Sequence, residues 1–337
     1  MYGATVGQLA YLDIEAATNQ AVCVLITDSA VSDSRFLYYL LMHERPRLVA
    51  AAHGAAQQNL SLASIREFEI RVPAIDTQRR IAAVLTAHDD LIENNIRRTQ
   101  VLEETAREIY QEWFVRFRYP GHESVPLAGS RIGLIPEGWG AGSFGDLVAL
   151  NTTTVDPRAV DPTTPAVGLE HIPRRRITLD DWGQAGALGS RKTTFVAGDL
   201  LFGKIRPYFH KVCLAPVDGL CSTDAIVLRP RAENWGQAIL AIASDEFVAH
   251  AVQTSNGTKM PRADWKVLRE FPVALPPRAI ARRFSDSARA VLGQAEALMF
   301  QTRSLARLRD LLLPGLVTGK VDVSHLNMEA LTKAAFA

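Results

Sequence analysis

Cysteine is nearly missing from this chain: Cys23, Cys213 and Cys221 are the three present in 337 residues. That number, with no pair at CxxC spacing, excludes a disulfide framework and argues against structural zinc or a redox dithiol. Each thiol is expected to serve as a small buried apolar group. Long apolar runs are missing too. Stretches such as 16–26 fall far short of the roughly 20 residues that span a bilayer. No basic segment opens the chain, and Asp13 and Glu15 interrupt its early apolar residues, so no secretory signal is predicted. The composition reads as soluble and cytoplasmic, with no membrane partner. An excess of one charge is also missing. Lys and Arg number 37 against 36 Asp and Glu, for a net charge of +1, so a polyanionic partner must be met by local charge. Catalytic spacings are the last absence. No GxxxxGK[ST] phosphate loop, HExxH pair, GxSxG elbow or NPPY-type methyltransferase motif occurs.

What is present is a repeat. Gly54 to Pro73 lies over Gly257 to Pro276 without a gap, at an offset of about 203 positions, and Arg66-Glu67-Phe68 falls on Arg269-Glu270-Phe271. Upstream, Thr18 to Val22 matches Ser222 to Ile226 at a similar offset. A unit of this size is a domain-scale duplication rather than a solenoid repeat. Two related modules placed by pseudo-symmetry suit the reading of two separate targets. Met1 aligns near Leu201, and the second copy has about 65 further residues before that point, from near Ile135-Pro136. The first copy is therefore expected to lack its opening half and to leave an exposed edge.

The first 72 residues combine β-like runs at 22–26 and 68–72 with a helix near 34–52. Neither Gly nor Pro occurs from Asp76 to Phe117, which predicts one long helix. Ile81, Leu85, His88, Ile92, Asn95, Thr99, Leu102, Ala106, Ile109 and Trp113 form a seam at coiled-coil spacing. Roughly 40 residues at 1.5 Å each give about 60 Å. Phe284, Ala288, Val291, Ala295, Leu298, Thr302, Leu305 and Leu312 repeat the seam in phase, and Pro314-Gly315 is expected to end this second helix. The seams bury each other most simply as an antiparallel pair, with Asn95 fixing register at a cost in stability; pairing of each helix with another protein is the alternative. Between them, Pro, Gly and Ser around 120–145 mark a linker. Strand candidates then follow at 195–204, 212–215 and 224–229, a helix near 237–253, and a short terminal helix at 328–336.

Two polar groups invite a catalytic reading and have plainer ones. Asp199 suits a turn before a strand. His88, Asp89 and Asp90 are consecutive helix positions that point apart, a polar seam residue beside solvated carboxylates. Local charge says more. Residues 171–211 hold Arg174, Arg175, Arg176, Arg191, Lys192, Lys204, Arg206 and Lys211 against Asp180, Asp181 and Asp199, with His171, Tyr208 and His210 interleaved. Such a set can neutralise phosphates and donate to guanine edges; a solvated basic face is the competing reading. Ser255 to Arg262, with Gly257, Lys259 and Arg262, is a second candidate. A solvated face is preferred for Arg71, Arg79 and Arg80.

The run Gly198-Asp199-Leu200-Leu201-Phe202-Gly203-Lys204-Ile205-Arg206-Pro207-Tyr208, followed by Cys221-Ser222-Thr223-Asp224, resembles the target-recognition domain of specificity subunits of type I restriction–modification systems. Leu102 to Ala106, Trp113-Phe114-Val115, Ile135 to Trp139, Leu308 to Pro314 and Met1 to Gly7 carry the same likeness, so it spans essentially the whole chain. The resemblance implies an α+β protein with tandem target-recognition α/β domains and two long antiparallel coiled-coil helices. The expected parts are a partial first recognition domain (1–73), a spacer helix (74–117), a complete second domain (118–275), a second spacer helix (276–320) and a tail (321–337). It implies that each domain reads half of a split double-stranded DNA target while the helices set the spacing. The chain itself then holds no catalytic residue, cofactor or metal. Methylation subunits using S-adenosylmethionine, and restriction subunits using ATP and Mg2+, supply the chemistry. The expected DNA contacts are Arg174, Arg175, Arg176, Arg191, Lys192, Lys204, Arg206, Tyr208, Lys211, Lys259 and Arg262. Helix pairing falls to Ile81, Leu85, Ile92, Asn95, Leu102, Ile109, Trp113, Phe284, Val291, Leu298, Leu305 and Leu312. A defective or half-specificity subunit, and a coiled-coil adaptor without DNA binding, remain as alternatives.

Overall fold

Caps and a proline cut the amino-terminal helical pattern in two. The computed structural model describes residues 6–52, 59–257 and 259–325; the terminal helix expected at 328–336 and most of Met1 to Gly7 lie outside them. Helix α1 (Ser34–His43) starts where the Asp33 carboxylate accepts from Phe36 N at 2.9 Å. Helix α2 (Arg45–Ala50) carries Pro46 in its first turn, where a missing N–H breaks no helical bond. A short α3 (Leu62–Arg66) is capped by Ser61. Then α4 (Ile75–Tyr110) runs unbroken, as the lack of Gly and Pro predicts, and widens into a π turn over Gln111–Val115.

Short strands follow. They are β1 (Leu127–Ser130), β2 (Gly133–Pro136), β3 (Gly140–Ser143), β4 (Val148–Asn151), β5 (Thr154–Val155), β6 (Pro165–Val167) and β7 (Gly183–Gln184). Then come β8 (Lys192–Phe195), β9 (Leu200–Gly203), β10 (Val212–Leu214), β11 (Gly219–Cys221) and β12 (Ala225–Pro230). The strand expected over 195–204 is thus two strands, parted at Gly198, whose φ of +90° makes the turn. The helix expected over 237–253 is also two, α5 (Trp235–Ile242) and α6 (Asp245–Gln253). Ser244 restarts the chain between them by accepting from Phe247 N at 3.1 Å. Helix α7 (Trp265–Leu268), strand β13 (Pro272–Leu275) and helix α8 (Arg278–Val317) complete the order. Pro314 does not end α8, contrary to expectation. The helix continues through it because the next turn buries Leu316 and Val317 at 2% and 4% exposure.

The chain divides into two compact units, Met1–Asn94 with Thr302–Ala337, and Asn95–Gln301. In the first, Phe36, Tyr39 and Leu40 of α1, Ile81 and Leu85 of α4, and Leu313, Leu316 and Val317 of α8 share one core. Asp89 accepts from Tyr39 Oη at 2.7 Å and Arg309 Nη1 at 2.6 Å, so it is a joint between three helices rather than a solvated carboxylate. His88 Nδ1 instead turns back to the Val84 carbonyl.

In the second unit β10, β9, β12 and β4 form one sheet and β5, β8, β11, β6 and β7 another, while β3 pairs antiparallel with β13. The main core joins Ala106, Tyr110, Trp113 and Phe114 to Phe284, Ala288 and Leu292, with β9, β12 and α5 packed around them. Within each unit, then, α4 and α8 bury their seams on one another. Cys213 and Cys221 sit in a second core, and burial pushes the Cys221 thiol up to about 12; Cys23 is only half-buried, not buried as expected. Asp199 is the expected turn residue and more. It accepts from Val196 N at 3.0 Å and takes both arms of the Arg229 guanidinium at 2.8 and 2.9 Å.

No strand forms at 22–26 or 68–72, which corrects the reading from alternation. Val24 and Ile26 are 58% and 92% exposed. Their counterparts lie in β12, which is hydrogen-bonded to β9 on one side and β4 on the other. Among its described residues the first unit has no such neighbours. A β-branched alternation becomes a strand only when another strand takes up its backbone groups.

Candidate nucleic-acid interface

A strained turn joins β9 to β10. Arg206 and His210 flank a single 3-10 turn over Pro207–Phe209, and both have φ of +50°. A side chain in left-handed backbone costs roughly 1–2 kcal/mol. Arg175, at φ +57°, is a third case in contact with these two, since its N–H donates to the His210 carbonyl at 2.9 Å. Strain of this kind survives only where the surrounding structure enforces it. Here it sets Tyr208 at the tip, 51% exposed, edge-on to Phe209 at 4.8 Å. The Arg174 guanidinium covers the Phe209 ring at 4.2 Å.

Backbone bonds stitch distant basic segments to this turn. Arg174 bridges Lys211, and Ile205 bridges Arg262. Arg206 N donates to the Pro261 carbonyl at 2.8 Å, and Ala263 N to the Lys204 carbonyl at 2.8 Å. Asn256 and Arg262 exchange both of their backbone bonds, at 2.8 and 2.9 Å. The segments 174–175 and 204–211 thus form one continuous strip with Asn256 and 261–263, although the sequence shows them as separate candidates. Beside it an open cleft of about 500 Å³ is lined by Asn151, Thr193, Lys204, Asn256, Arg262 and Trp265.

Two arginines of the strip, Arg175 and Arg262, are held loosely. Arg175 pairs with Asp245 at 2.9 Å, with both side chains about 70% exposed. Arg262 lies 3.9 Å from Asp224. Exposed pairs contribute little to stability and exchange readily with other anions. Arg176, tied to Asp180 at 2.9 Å, is less exposed. Lys204 Nζ donates to the Thr223 carbonyl at 2.6 Å and Lys211 Nζ to that of Leu169. Burial, helped by the Arg174 charge, lowers the Lys211 ammonium from its usual range. Arg191 and Lys192 are placed apart. Arg191 reaches back to Thr154, and Lys192 to Ser190, at the start of β8. The next residue, Thr193, lines the cleft, so strand alternation directs Lys192 to the other face. Lys259 is exposed in the loop that leads to Arg262.

His210 braces the turn from below. Its Nε2–H donates to the Ala243 carbonyl at 3.0 Å, while Nδ1 is buried without a hydrogen-bond partner, 3.4 Å from the Asp245 carboxylate. Burial lowers its pKa; the charges of Arg175 and Arg107 add to this, and Asp245 opposes them. A group with a lowered folded pKa gives its full stability above its unfolded value and loses it as the pH falls toward the folded one. Thermal stability of the chain therefore declines below pH about 6.5, by at most about 1.4 kcal/mol per pH unit for this proton. Gln in place of His210 keeps a donor for Ala243, and the acid limb of its Tm-against-pH profile is correspondingly flatter.

Several residues escaped the sequence reading. Phe209 hides in the apolar composition, and Trp265 comes to line the cleft only through the fold. Glu103 and Arg107 sit beside the helix seam, yet they bond to the Arg175–Thr178 backbone, Arg107 Nη2 reaching the Arg175 carbonyl at 2.9 Å. The spacing GxGxxG at Gly140, Gly142 and Gly145 is also present, but β3 runs antiparallel to β13 and leads into a 3-10 turn. A dinucleotide site needs a parallel strand feeding a helix. Among the described residues no group of three or more His, Cys, Asp or Glu is placed to hold a metal, and no helix is long and apolar enough to cross a membrane.

The expected pairing residues are buried or half-buried in their own units. In the first, Ile81 and Leu85 are fully buried, and Ile92, Leu305 and Leu312 half-buried. In the second, Asn95, Trp113, Phe284 and Leu298 are buried, with Leu102, Ile109 and Val291 half-buried.

Comparison with known proteins agrees with this architecture. Residues 1–104 match the family model for the type I restriction modification DNA specificity domain. The MjaIX type I restriction enzyme specificity subunit of Methanocaldococcus jannaschii is 24% identical over 333 residues, 96% of this chain and 77% of that protein. The EcoDI specificity subunit of Escherichia coli is 21% identical over 277 residues, 72% of this chain and 59% of that protein. Among solved structures, the S subunit of a type I restriction–modification system from M. genitalium shares the fold, with a TM-score of 0.53 at 16% identity, covering 86% of this chain and 74% of that one. A domain match over the first 104 residues, a relative along nearly the whole length and a shared fold converge: the chain is similar to the specificity subunits of type I restriction–modification systems.

Proposed function

We propose that the second unit reads one half of a bipartite double-stranded DNA target, and that the chain directs adenine methylation and restriction carried out by partner subunits. The stitched basic strip carries this reading. It offers Arg174, Arg175, Arg206, Lys211, Lys204 and Arg262 on a surface held by backbone bonds, with the exposed Tyr208 raised among them. Phosphate contacts set affinity and register, while the polar cleft beside them offers groups for base edges. The recognition chain contributes binding. S-adenosylmethionine, ATP and Mg2+ belong to the methylation and restriction partners, and the complex works where the DNA is, in the cytoplasm. The paired helices α4 and α8 hold the modules and offer their outer faces to the methylation subunits.

A titration tests this. Anisotropy of a labelled random-sequence duplex, with the chain co-purified with its methylation partner, should show log K falling linearly with log salt between 50 and 200 mM. The slope is about −0.9 per phosphate contact, or roughly −5 for the six cations named. Absence of binding, or binding insensitive to salt, would reject DNA reading in favour of a coiled-coil adaptor.

A further inference from the structure

The basic loop of the strip is fastened to the long helix as well as to β10, where Leu214 N donates to the Ile177 carbonyl at 2.8 Å. Glu103 of α4 is 1% exposed. Its Oε2 accepts from Ile177 N at 2.9 Å, and its Oε1 from Thr178 N at 2.8 Å and Thr178 Oγ1 at 2.6 Å. One turn on, Arg107 Nη2 donates to Oε2 at 3.1 Å and to the Arg175 carbonyl at 2.9 Å. A carboxylate so deep in the fold is tolerated only when every acceptor position is filled, and here both oxygens are. The result is a clamp whose jaws close on the backbone of 175, 177 and 178.

Pairing of the helices does not require this acid. In the duplicated copy the position of Glu103 is taken by Ala306, and that of Arg107 by Asp310, while the seam threonines Thr99 and Thr302 coincide. The clamp thus exists for the loop. That loop contains Arg174, stacked on Phe209, and Arg175, whose left-handed backbone bonds to His210. A free loop would relax out of the αL conformation, because residues with a Cβ disfavour it. We infer that Glu103 and Arg107 are positioning residues, through which α4 also sets the register of the DNA-reading loop.

This inference rests on the DNA reading above, and its test separates the two. The chain co-purified with its methylation partner is used to select from a random-sequence duplex pool, as wild type, Glu103→Gln and Arg107→Ala. The glutamine keeps size but turns one acceptor into a donor facing N–H groups. The alanine removes only a half-exposed side chain, so it reports on the loop even where the first variant folds poorly. Wild type should enrich a motif. Glu103→Gln should lose about ten- to hundredfold of its preference for that motif over bulk duplex, and Arg107→Ala a smaller part. Affinity for bulk duplex and its salt slope should stay within about twofold, since the cations remain. A general structural defect would instead lower both affinities together. Variants that select the wild-type motif with wild-type preference would overturn the inference and leave DNA reading intact. A wild type that binds no duplex would overturn both.

Discussion

Replacing Arg174, Arg175 and Arg262 together by glutamate is expected to weaken duplex binding at least about a hundredfold at 100 mM salt and to shallow the salt slope by about three. These residues come from opposite ends of the strip, 87 positions apart at the nearest in sequence, and act as one surface only because Ile205, Arg206 and Lys211 join their backbones. The substitutions should spare the fold. All three side chains are exposed, and their ion pairs with Asp245 and Asp224 are surface pairs, worth about 0–1 kcal/mol each. Net charge is controlled by reversing Arg278, Arg282 and Arg283 on α8, three exposed arginines outside the strip. That control should move affinity by less than about threefold, because at 0.1 M salt a charge beyond roughly 10 Å is largely screened. Equal losses from the two sets would show a diffuse cationic effect and remove the strip as the interface.

The long helices were legible in the sequence because their signal is local. A stretch free of Gly and Pro with apolar residues at three- and four-residue spacing has one economical structure, and Ile81, Leu85, Trp113 and Phe284 are buried as that spacing requires. The strip was half legible. Its charges are countable from the chain, but Arg191 and Lys192, counted with the rest, sit at the β5–β8 edge. Nothing in their spacing tells them from Lys204, because sheet order decides which basic residue meets which. The failed strands at 22–26 show the opposite limit. Their apolar, β-branched run resembles that of β12, yet such a run says nothing about whether a neighbour exists to bond the edges. Glu103 was illegible for a third reason. Beside a seam, a glutamate is by default a solvated flank, and only the approach of Ile177 and Thr178 makes it a buried acceptor.

The helix pair carries the second large effect. Phe284, 1% exposed, meets Phe114 at 4.7 Å, Trp113 at 5.3 Å and Tyr110 at 6.3 Å between ring centroids. It is the point at which the start of α8 locks onto the end of α4. Truncation to alanine removes an aromatic side chain from a cluster whose other members are held by β9, β12 and α5 and cannot collapse into the gap. A loss of about 3–5 kcal/mol is expected, which for a unit of this size lowers Tm by about 6–20 °C. Leu in the same place restores most of the volume without the ring contacts and should recover more than half of the loss. Because the strip hangs from α4 through Glu103 and Arg107, loosening α4 also reaches the reading loop. Phe284→Ala should therefore lose preference for its target at temperatures where the chain is still folded, and an intact preference up to the unfolding transition would show that the loop holds its register without the helix pair.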